Sequence, residues 1–428
     1  MWETGRDKKE KAMLVTLKVG EQDAWTAEDD AKELKELARS SGVEVAKEII
    51  CHRDKPTPSY FIGRGKAAEL ADFCQALEMD VVIFNYDLSS TQQRNLEEIV
   101  DTKIIDRTQL ILDIFAQRAK SMEGKVQVEL AQLEYLLPRL TGKGIMLSRL
   151  GAGIGTRGPG EKKLEVDKRR IRERIGKLKK ELLSLSQRRS SLREYRKHHS
   201  LATIAVVGYT NAGKSTLINR LTGARQAARA SMFSTLDSVA RRLTLANKQK
   251  VLFSDTVGFL RRLPHHLIEA FKATLEEVKE ADVLLHVLDI SSAYIYEHSQ
   301  AVFEVLTELQ AQQKPIIVAL NKIDLVANEY SLRRYLKDFR NSVAISALKG
   351  TNIDQLLEKI SHQLADLMTE VEIEIPAHKM NLLNLIYNEG QVFKKVYRDD
   401  KVCIHASIPH RIKGKLEHFF AKKTFDKE

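Results

Sequence analysis

Residues Gly208 to Ser215 have the types and spacing of a phosphate-binding loop. They read Gly-Tyr-Thr-Asn-Ala-Gly-Lys-Ser and follow the apolar run 201–207. The glycines let backbone N–H groups converge on phosphates, and a helix that begins near Lys214 adds its positive dipole end. We expect Lys214 to reach the β and γ phosphates and Ser215 to ligate Mg²⁺. The candidate contacts are Gly208, Tyr209, Thr210, Asn211, Ala212, Gly213, Lys214, Ser215 and Thr216.

A second phosphate element is the tetrapeptide Asp-Thr-Val-Gly after the apolar run 251–254. A carboxylate at this strand end can hold Mg²⁺ through water, and the Gly258 N–H can meet the γ-phosphate. The next residue, Phe259, stands where Ras-like proteins carry a glutamine that orients the attacking water. An aromatic side chain cannot do this, so we predict slow hydrolysis that a bound macromolecule accelerates. The candidate contacts are Asp255, Thr256, Val257 and Gly258.

The base-recognition element is Asn-Lys-Ile-Asp after the apolar run 315–320. Asp324 can accept hydrogen bonds from both N1–H and the exocyclic amine of guanine, whereas adenine would leave this carboxylate unpaired. The pattern therefore predicts GTP and GDP as ligands. A Ser-Ala-Leu tripeptide after a strand that ends at 345 is expected to close the base pocket. The candidate contacts are Asn321, Lys322, Ile323, Asp324, Ser346, Ala347 and Leu348.

A switch segment lies between the two phosphate elements and reads Phe-Ser-Thr-Leu-Asp. A threonine in a polar loop is usually only solvated, but the position of Thr235 favours a switch residue that contacts Mg²⁺ and the γ-phosphate. Lys214, Thr235 and Gly258 are then the candidate catalytic residues, and Ser215 and Thr235 the candidate metal ligands. The segment consists of Phe233, Ser234, Thr235, Leu236 and Asp237.

These elements require a scaffold of α/β type, and hydrophobic periodicity predicts one in four parts. Residues 1–120 alternate strand and helix patterns, as in a small parallel α/β domain. Residues 121–200 indicate a basic helical hairpin, residues 201–368 a doubly wound sheet of the P-loop GTPase type, and residues 369–428 a small α+β domain. Within the first part, Gly63 to Lys66 is either a second anion site at a helix start or a tight turn, and we favour the turn.

A glycine-rich segment, residues 142–160, lies between the two hairpin helices. It holds seven of the 21 glycines of the chain, contains Lys143, Arg149 and Arg157, and has no acidic residue. A flexible linker would favour Gly with Ser, yet this segment also carries Ile, Leu and Met. The helix predicted over 161–197 is basic, since residues 161–200 contain fifteen Lys and Arg against six Asp and Glu. A basic glycine-rich tip on a basic stalk indicates contact with RNA.

Composition supports a protein that stays in the cytoplasm. The 428 residues are 43% hydrophobic and 30% charged, with a net charge of +11. The N-terminus lacks an apolar signal core, and no run of apolar residues is long enough to span a membrane. The three cysteines are far apart and form no C-x-x-C, so neither a disulfide framework nor a zinc site is expected. We expect a monomer.

The chain resembles HflX-type GTPases of the translation-factor-related P-loop class over essentially its whole length. The most specific signature is residues 151–165, Gly-Ala-Gly-Ile-Gly-Thr-Arg-Gly-Pro-Gly-Glu-Lys-Lys-Leu-Glu, ahead of the four nucleotide motifs in family order. Family members usually have threonine where Lys162 stands. Asn211 stands where potassium-activated GTPases carry their P-loop asparagine, so K⁺ is an expected cofactor beside GTP or GDP and Mg²⁺.

The resemblance implies a bacterial GTPase that binds the large ribosomal subunit and its rRNA. Its activity would be the splitting of stalled 70S ribosomes under stress, with GTP hydrolysis allowing the protein to be released. A fraction of the protein would be associated with ribosomes or with the membrane surface. One alternative is an assembly or hibernation factor in which GTP controls docking without splitting. Another is an enzyme acting on RNA itself, for which we find no second phosphate loop with an acidic partner.

Overall fold

The computed structural model describes most of the chain, and all structural statements below concern this part. The described residues are 9–20, 27–140, 159–198, 202–223, 232–233, 239–247, 249–261, 272–326, 328–365, 368–376, 378–398 and 401–420. The predicted tip, apart from its last two residues, and the switch residues 234–237 lie outside them. The contacts between residues divide the chain into two compact units. The first unit comprises residues 1–184, 229–237 and 262–273, and the second comprises the remaining residues.

The N-terminal part is a four-stranded parallel sheet with helices between its strands. The sheet order β2-β1-β3-β4 places β1 in the interior, and its central residues 12–17 are all buried, as is typical of a strand covered on both faces. The elements are β1 (Lys11–Val19), α1 (Ala27–Ser41), β2 (Glu44–Arg53), α2 (Arg64–Leu77), β3 (Val81–Phe84), α3 (Ser90–Val100), β4 (Lys103–Ile105) and α4 (Arg107–Arg118).

The glycine-rich stretch before α2 has the geometry of a tight turn. Gly63 caps α2 with φ of 87°, and Arg53 Nε donates a hydrogen bond of 2.6 Å to the carbonyl of Ile62. A Cβ at Gly63 would lie 2.3 Å from the Arg53 guanidinium. Glycine is therefore favoured at this position by its backbone conformation, since the Arg53 side chain could shift but the positive φ would remain.

In the region of the predicted helical hairpin the structure has two helices, α5 (Met122–Arg139) and α6 (Pro159–His198). Leu178 of α6 is fully buried against Val126 and Leu130 of α5. Two ion pairs accompany this contact, Arg174 with Glu129 at 2.6 Å and Lys179 with Glu134 at 2.8 Å. The shorter α5 thus supports one section of α6. The sequence predicts such partial coverage, because apolar residues recur every seven positions along 161–197 while Lys168 and Arg189 interrupt the second heptad position.

The central sheet has six strands in the order β10-β9-β8-β5-β7-β6. All neighbours are parallel except the β6–β7 pair, so the sheet is mixed. The apolar pattern of the sequence predicts a strand over 243–246, and the observed β6 begins three residues earlier. The elements are β5 (Ala202–Gly208), α7 (Lys214–Thr222), β6 (Ala240–Thr244), β7 (Lys250–Asp255), α8 (Lys272–Glu280), β8 (Val283–Asp289), α9 (Ile295–Glu308), β9 (Ile316–Asn321), α10 (Glu329–Asp338), β10 (Ser342–Ala344) and α11 (Ile353–Ala365).

The topology determines where a ligand can bind. Strand β5 pairs with β7 on one side and β8 on the other, so the strand order reverses beside it. In doubly wound sheets, ligands bind at the carboxyl ends of strands at this reversal point. The carboxyl end of β5 is Gly208, the first residue of the predicted phosphate loop.

The C-terminal part is a three-stranded antiparallel sheet with two helices. The sheet order is β11-β13-β12, and alternate residues of β11 and β13 form its core. The sequence pattern predicts a last helix over 412–420. The observed helix ends earlier, because a 3₁₀ turn at Glu417–Phe419 replaces its end. The elements are β11 (Met368–Pro376), α12 (Met380–Glu389), β12 (Gln391–Arg398), β13 (Lys401–Pro409) and α13 (His410–Leu416).

Candidate functional site

The phosphate loop connects β5 to α7, and its glycines have no room for a side chain. A Cβ at Gly208 would lie 2.4 Å from the carbonyl oxygen of Val287, and one at Gly213 would lie 2.3 Å from Asn321 Nδ2. Gly213 also has φ of 96°, which L side chains rarely adopt. The loop therefore keeps its shape only with glycine at both positions.

Lys214 is folded back over its own loop and is buried. Its Nζ donates hydrogen bonds to the carbonyl oxygens of Gly208 and Tyr209, at 2.9 and 2.8 Å. Burial lowers the pKa of Lys214 to about 8, and the nearby Asp255 carboxylate opposes this shift. A buried ammonium whose partners are neutral carbonyls would gain strongly from an anion in the loop.

The second phosphate element lies beside the loop. Ser215 Oγ donates a hydrogen bond of 2.8 Å to Asp255 Oδ2 at the end of β7. Thr256 Oγ1 donates to the carbonyl of Val206 at 2.7 Å, which ties this segment to β5. A hydroxyl and a carboxylate at this separation are hard oxygen donors of the kind that Mg²⁺ prefers.

The segment that follows is paired directly with the phosphate loop. Thr210 N donates to Phe259 O at 2.8 Å, and Phe259 N donates to Gly208 O at 3.1 Å. The Phe259 side chain is buried in the core. A Cβ on Gly258 would come within 3.1 Å of Lys214 Nζ. The structure thus brings Gly258 to the lysine and leaves no water-orienting side chain at position 259.

The base-recognition elements are joined to the phosphate loop by one side chain. Asn321 Nδ2 donates to Ala212 O at 2.8 Å, and Asn321 Oδ1 accepts from Ala347 N at 2.9 Å. Asn321 therefore holds three separate segments of the chain together, the phosphate loop, its own strand end and the Ser-Ala-Leu segment. This buried side chain has both of its polar atoms satisfied.

The predicted guanine acceptor is oriented by a hydroxyl group. Ser346 Oγ donates a hydrogen bond of 2.6 Å to Asp324 Oδ1. This bond holds the pKa of Asp324 below its usual range. Ile323 N donates to Ile345 O at 3.2 Å, so the two segments are also joined through their backbones, and Leu348 is exposed beside them. The carboxylate is thus ionised and positioned before any ligand arrives.

Two residues at the site were missed from the sequence. Arg220 on α7 donates through Nε to Ala347 O at 3.2 Å and through Nη2 to Leu348 O, so it holds the Ser-Ala-Leu segment. Asp289, at the end of β8, forms an ion pair of 2.6 Å with Lys322. Asp289 could have been found, because an acidic residue directly at the end of a predicted strand often belongs to a ligand site. No sequence pattern marks Arg220 as a residue of the site.

The remaining predicted residues have other surroundings. The Tyr209 ring stacks on His298 with centroids 4.0 Å apart, and its hydroxyl accepts from Arg261 N. Thr210 Oγ1 is buried without a hydrogen-bond partner among the described residues. Phe233 belongs to the first compact unit, where its ring packs against Phe115. In the described part of the chain no cluster of three or more His, Cys, Asp or Glu side chains is placed to hold a metal ion, and none of the helices there could cross a bilayer.

The six-stranded sheet and the loops at its carboxyl ends define a P-loop GTPase. Four family models match successive parts of the chain. They are described as "GTP-binding GTPase N-terminal" at residues 28–116, "GTP-binding GTPase Middle Region" at 118–196, "50S ribosome-binding GTPase" at 203–322 and "HflX C-terminal domain" at 331–418.

Curated relatives match nearly the whole chain. GTPase HflX of Caldanaerobacter subterraneus subsp. tengcongensis is 44% identical, covering 98% of this chain and 95% of the relative. GTPase HflX of Escherichia coli K12 is 41% identical over 89% of this chain and 90% of the relative. A solved GTP-binding protein from Sulfolobus solfataricus in complex with GDP is 28% identical, with a TM-score of 0.45, covering 84% of this chain and 99% of that chain. The chain belongs to the HflX family of GTPases.

Proposed function

We propose that this protein is a Mg²⁺-dependent GTPase that binds the large ribosomal subunit and, in its GTP-bound state, dissociates stalled or idle 70S ribosomes under stress. Hydrolysis then allows release. The observation that carries the proposal is the placement of Phe259. A GTPase site that has its phosphate and base elements but a buried aromatic ring at the water-orienting position needs an external activator, and the match to a ribosome-binding GTPase model supports the ribosome in that role.

In this proposal the chain binds the nucleotide through preformed contacts. The backbone of residues 208–216 surrounds the phosphates, Lys214 neutralises the β and γ phosphates, and the Gly258 N–H contacts the γ-phosphate. Asp324 accepts from the guanine base, while Asn321 and the Ser-Ala-Leu segment close its pocket. Because the hydrogen bonds of Asn321 already hold these segments, binding costs little rearrangement at the base.

The described residues fit Mg²⁺ at one position. Ser215 Oγ and Asp255 Oδ2 are 2.8 Å apart next to the buried Lys214, so a metal ion there would lie beside the phosphates. We assign Ser215 as a direct ligand, Asp255 as a ligand through water and Thr235 as a ligand in the GTP state. When bound, Mg²⁺ supplies neutralisation of phosphate charge. The oxygen atoms of Ser215 and Asp255, already held together by their hydrogen bond, would hold the ion in place.

The ribosome contact is assigned to α6 and to the glycine-rich tip. Next to the section that α5 supports, α6 carries Arg169 and Arg170, whose side chains are largely exposed. A supported basic helix of 40 residues is long enough to carry a terminal loop deep into an RNA-lined cavity. We therefore place the protein in the cytoplasm, as a monomer that associates with ribosomes through rRNA.

Potassium is a further proposed cofactor. Asn211 adopts φ of 60° and is exposed at the loop, as a residue that meets a cation beside the phosphates would be. Under this proposal, GTP turnover is faster in potassium than in sodium buffer. Equal rates in the two buffers would contradict it.

The central experiment measures GTP turnover with and without 50S subunits. We expect slow turnover alone and strong stimulation by 50S, and a ratio near one would contradict the proposal. Sedimentation of 70S ribosomes with GTP and with a slowly hydrolysed analogue then tests splitting. Binding without any loss of 70S particles would identify an assembly or hibernation factor in which GTP controls only docking.

A further inference from the structure

The C-terminal sheet has one acidic and one basic edge. Strand β11 carries Glu370, Glu372 and Glu374 and no Lys or Arg, whereas β12 carries three cations and no acid. The sheet order β11-β13-β12 makes these strands the two edges. Charges that are segregated in this way create an electrostatic field across a small domain and attract a polyanion to the β12 side.

Aromatic side chains accompany the cations on the basic edge. Tyr397 and Phe393 of β12 are 70% and 51% exposed, and Tyr387 at the end of α12 is 46% exposed. Large rings are usually buried, and the core of this domain is formed by other residues. Three exposed rings within one strand and the adjacent helix end are therefore available to a partner.

One lysine lies between two of the rings. Lys395 Nζ is 4.4 Å from the centroid of Tyr397 and 5.3 Å from that of Tyr387, within the range of cation–π attraction. Hydrogen bonds raise the pKa of Lys395, the one with Tyr397 contributing most and the one with Tyr387 next. The ammonium group of Lys395 therefore stays charged. Lys395 and Tyr397 are two strand positions apart and so point to the same side of the edge. We call Tyr387, Lys395 and Tyr397 the aromatic edge.

Phe393, the third exposed ring, lies at a β-bulge in β12 and is not part of the aromatic edge. The pairing of β12 with β13 shifts register between Val392 and Lys394, which leaves Phe393 outside the regular ladder. Bulges on edge strands re-aim side chains and limit pairing with a further strand. Phe393 lies against His405, with ring centroids 5.3 Å apart. The bulge thus disfavours addition of a peptide strand along this edge.

We propose that the aromatic edge binds single-stranded RNA, with a base stacked on Tyr397 and a neighbouring phosphate facing Lys395. Alternating rings and cations match the alternation of bases and phosphates in an unpaired strand. Stacking tolerates any base, so the contact needs no sequence motif in the RNA. We identify the RNA as a loop of ribosomal RNA, and this identification rests on the proposed function. The chemistry of binding does not depend on the proposed function.

The first test uses the full chain and a single-stranded RNA oligonucleotide of mixed sequence that contains 4-thiouridine. We expect ultraviolet crosslinks at Tyr387 or Tyr397, mapped by mass spectrometry. The double variant Tyr387→Ala/Tyr397→Ala should bind the labelled oligonucleotide about tenfold more weakly in fluorescence anisotropy. Tyr387→Phe/Tyr397→Phe should bind like the wild type, because the rings remain.

A matched control is Tyr330→Ala, which removes a ring that is 77% exposed on α10 and should leave RNA affinity unchanged. Absence of crosslinks at the aromatic edge together with equal affinity of the alanine variant would overturn the inference. If 50S subunits fail to stimulate GTP turnover while the alanine variant still loses RNA affinity, the proposed function fails and this inference stands.

Discussion

The rings of Phe115 and Phe233 pack with their centroids 4.5 Å apart at an interplanar angle of 60°. Phe233 is 2% exposed, and Ser40 Oγ accepts a hydrogen bond of 3.0 Å from the adjacent Met232 N. Residues 232 and 233 come directly before the predicted switch segment residues Ser234 and Thr235. A side chain of the N-terminal part thus holds the start of the segment that is expected to sense the γ-phosphate.

This packing predicts a selective effect of Phe233→Ala on the GTP state. Loss of a buried ring of this size costs about 3–5 kcal/mol, so the contact that holds residues 232 and 233 is weakened. We expect affinity for a GTP analogue to fall by roughly tenfold while GDP affinity changes little, because Thr235 is assigned a contact only when a γ-phosphate is present. Titrations with fluorescent GDP and a fluorescent GTP analogue measure the two affinities.

The conservative variant Phe115→Leu removes the ring pair but keeps most of the core volume, and it should produce a smaller change in the same direction. Equal losses for GDP and the GTP analogue would show that Phe233 supports the fold and not the switch. A gain in GTP-analogue affinity would show that the packing restrains the threonine.

The Ser346–Asp324 hydrogen bond predicts a change in pH dependence. Guanine is recognised by the ionised carboxylate, and the pKa of Asp324 is lowered, so the contribution of Asp324 to GDP affinity should hold as pH falls and be lost only below the ordinary aspartate range. The wild type and a Ser346→Ala variant share the titration of Lys214 and of the GDP phosphate, so the comparison between them isolates this contribution. Ser346→Ala removes the bond and raises the pKa of Asp324. The loss of affinity should then begin at a higher pH.

Calorimetric titration with GDP from neutral pH down to about pH 3, below the ordinary aspartate pKa, measures this shift. Thr307→Ala, which removes a hydroxyl bonded only to its own helix, is the control and should follow the wild type. Superimposable pH profiles for Ser346→Ala and wild type would contradict the assigned role.

Arg220 is predicted to be a positioning residue for the base pocket. Its guanidinium holds the carbonyls of Ala347 and Leu348, and hydrogen bonds from charged groups contribute about 1.5–3 kcal/mol when they are sheltered. Arg220 is exposed, so we expect Arg220→Ala to weaken GDP and GTP equally, by about fivefold. Arg220→Lys should recover part of this loss, because it keeps the charge but not the two-pronged geometry.

The measurement is equilibrium binding of both nucleotides. Arg333→Ala is a suitable control, since that arginine forms only an exposed ion pair with Glu329 on α10. A loss confined to GTP would place Arg220 in the phosphate response and not in the base pocket.

The glycine-rich tip yields a prediction about the ribosome. Arg149 and Arg157 lie outside the described residues, and the acid-free composition of their segment motivates the assignment. Arg149→Ala/Arg157→Ala should leave basal GTP turnover intact but reduce 50S binding and 50S-stimulated turnover, because two phosphate contacts are lost. Normal stimulation would make this segment a linker. The double variant Arg333→Ala/Arg334→Ala on α10 controls for loss of charge.

Much of the fold could be predicted because its signals are local. Alternation of apolar strands with amphipathic helices reports which residues are buried, and the periods of strand and helix are properties of a few neighbouring residues. Strand order is different, since periodicity does not say which strands pair. The antiparallel β6 and the early end of the last helix at Leu416 were missed for this reason, because tertiary packing overrides weak propensity at element ends.

By itself, the sequence determined the class of ligand and the order of the parts. Glycines before Lys214 specify a phosphate loop, a single carboxylate at Asp324 specifies guanine, and Phe259 removes the water-orienting group, since each of these follows from the chemistry of one residue type at one position. Only the tertiary structure showed that Asn321 and Arg220 join segments more than a hundred residues apart and that Phe233 packs on Phe115. Such contacts depend on how elements that are distant in the sequence pack together in the folded chain. A local sequence pattern holds no information about this packing.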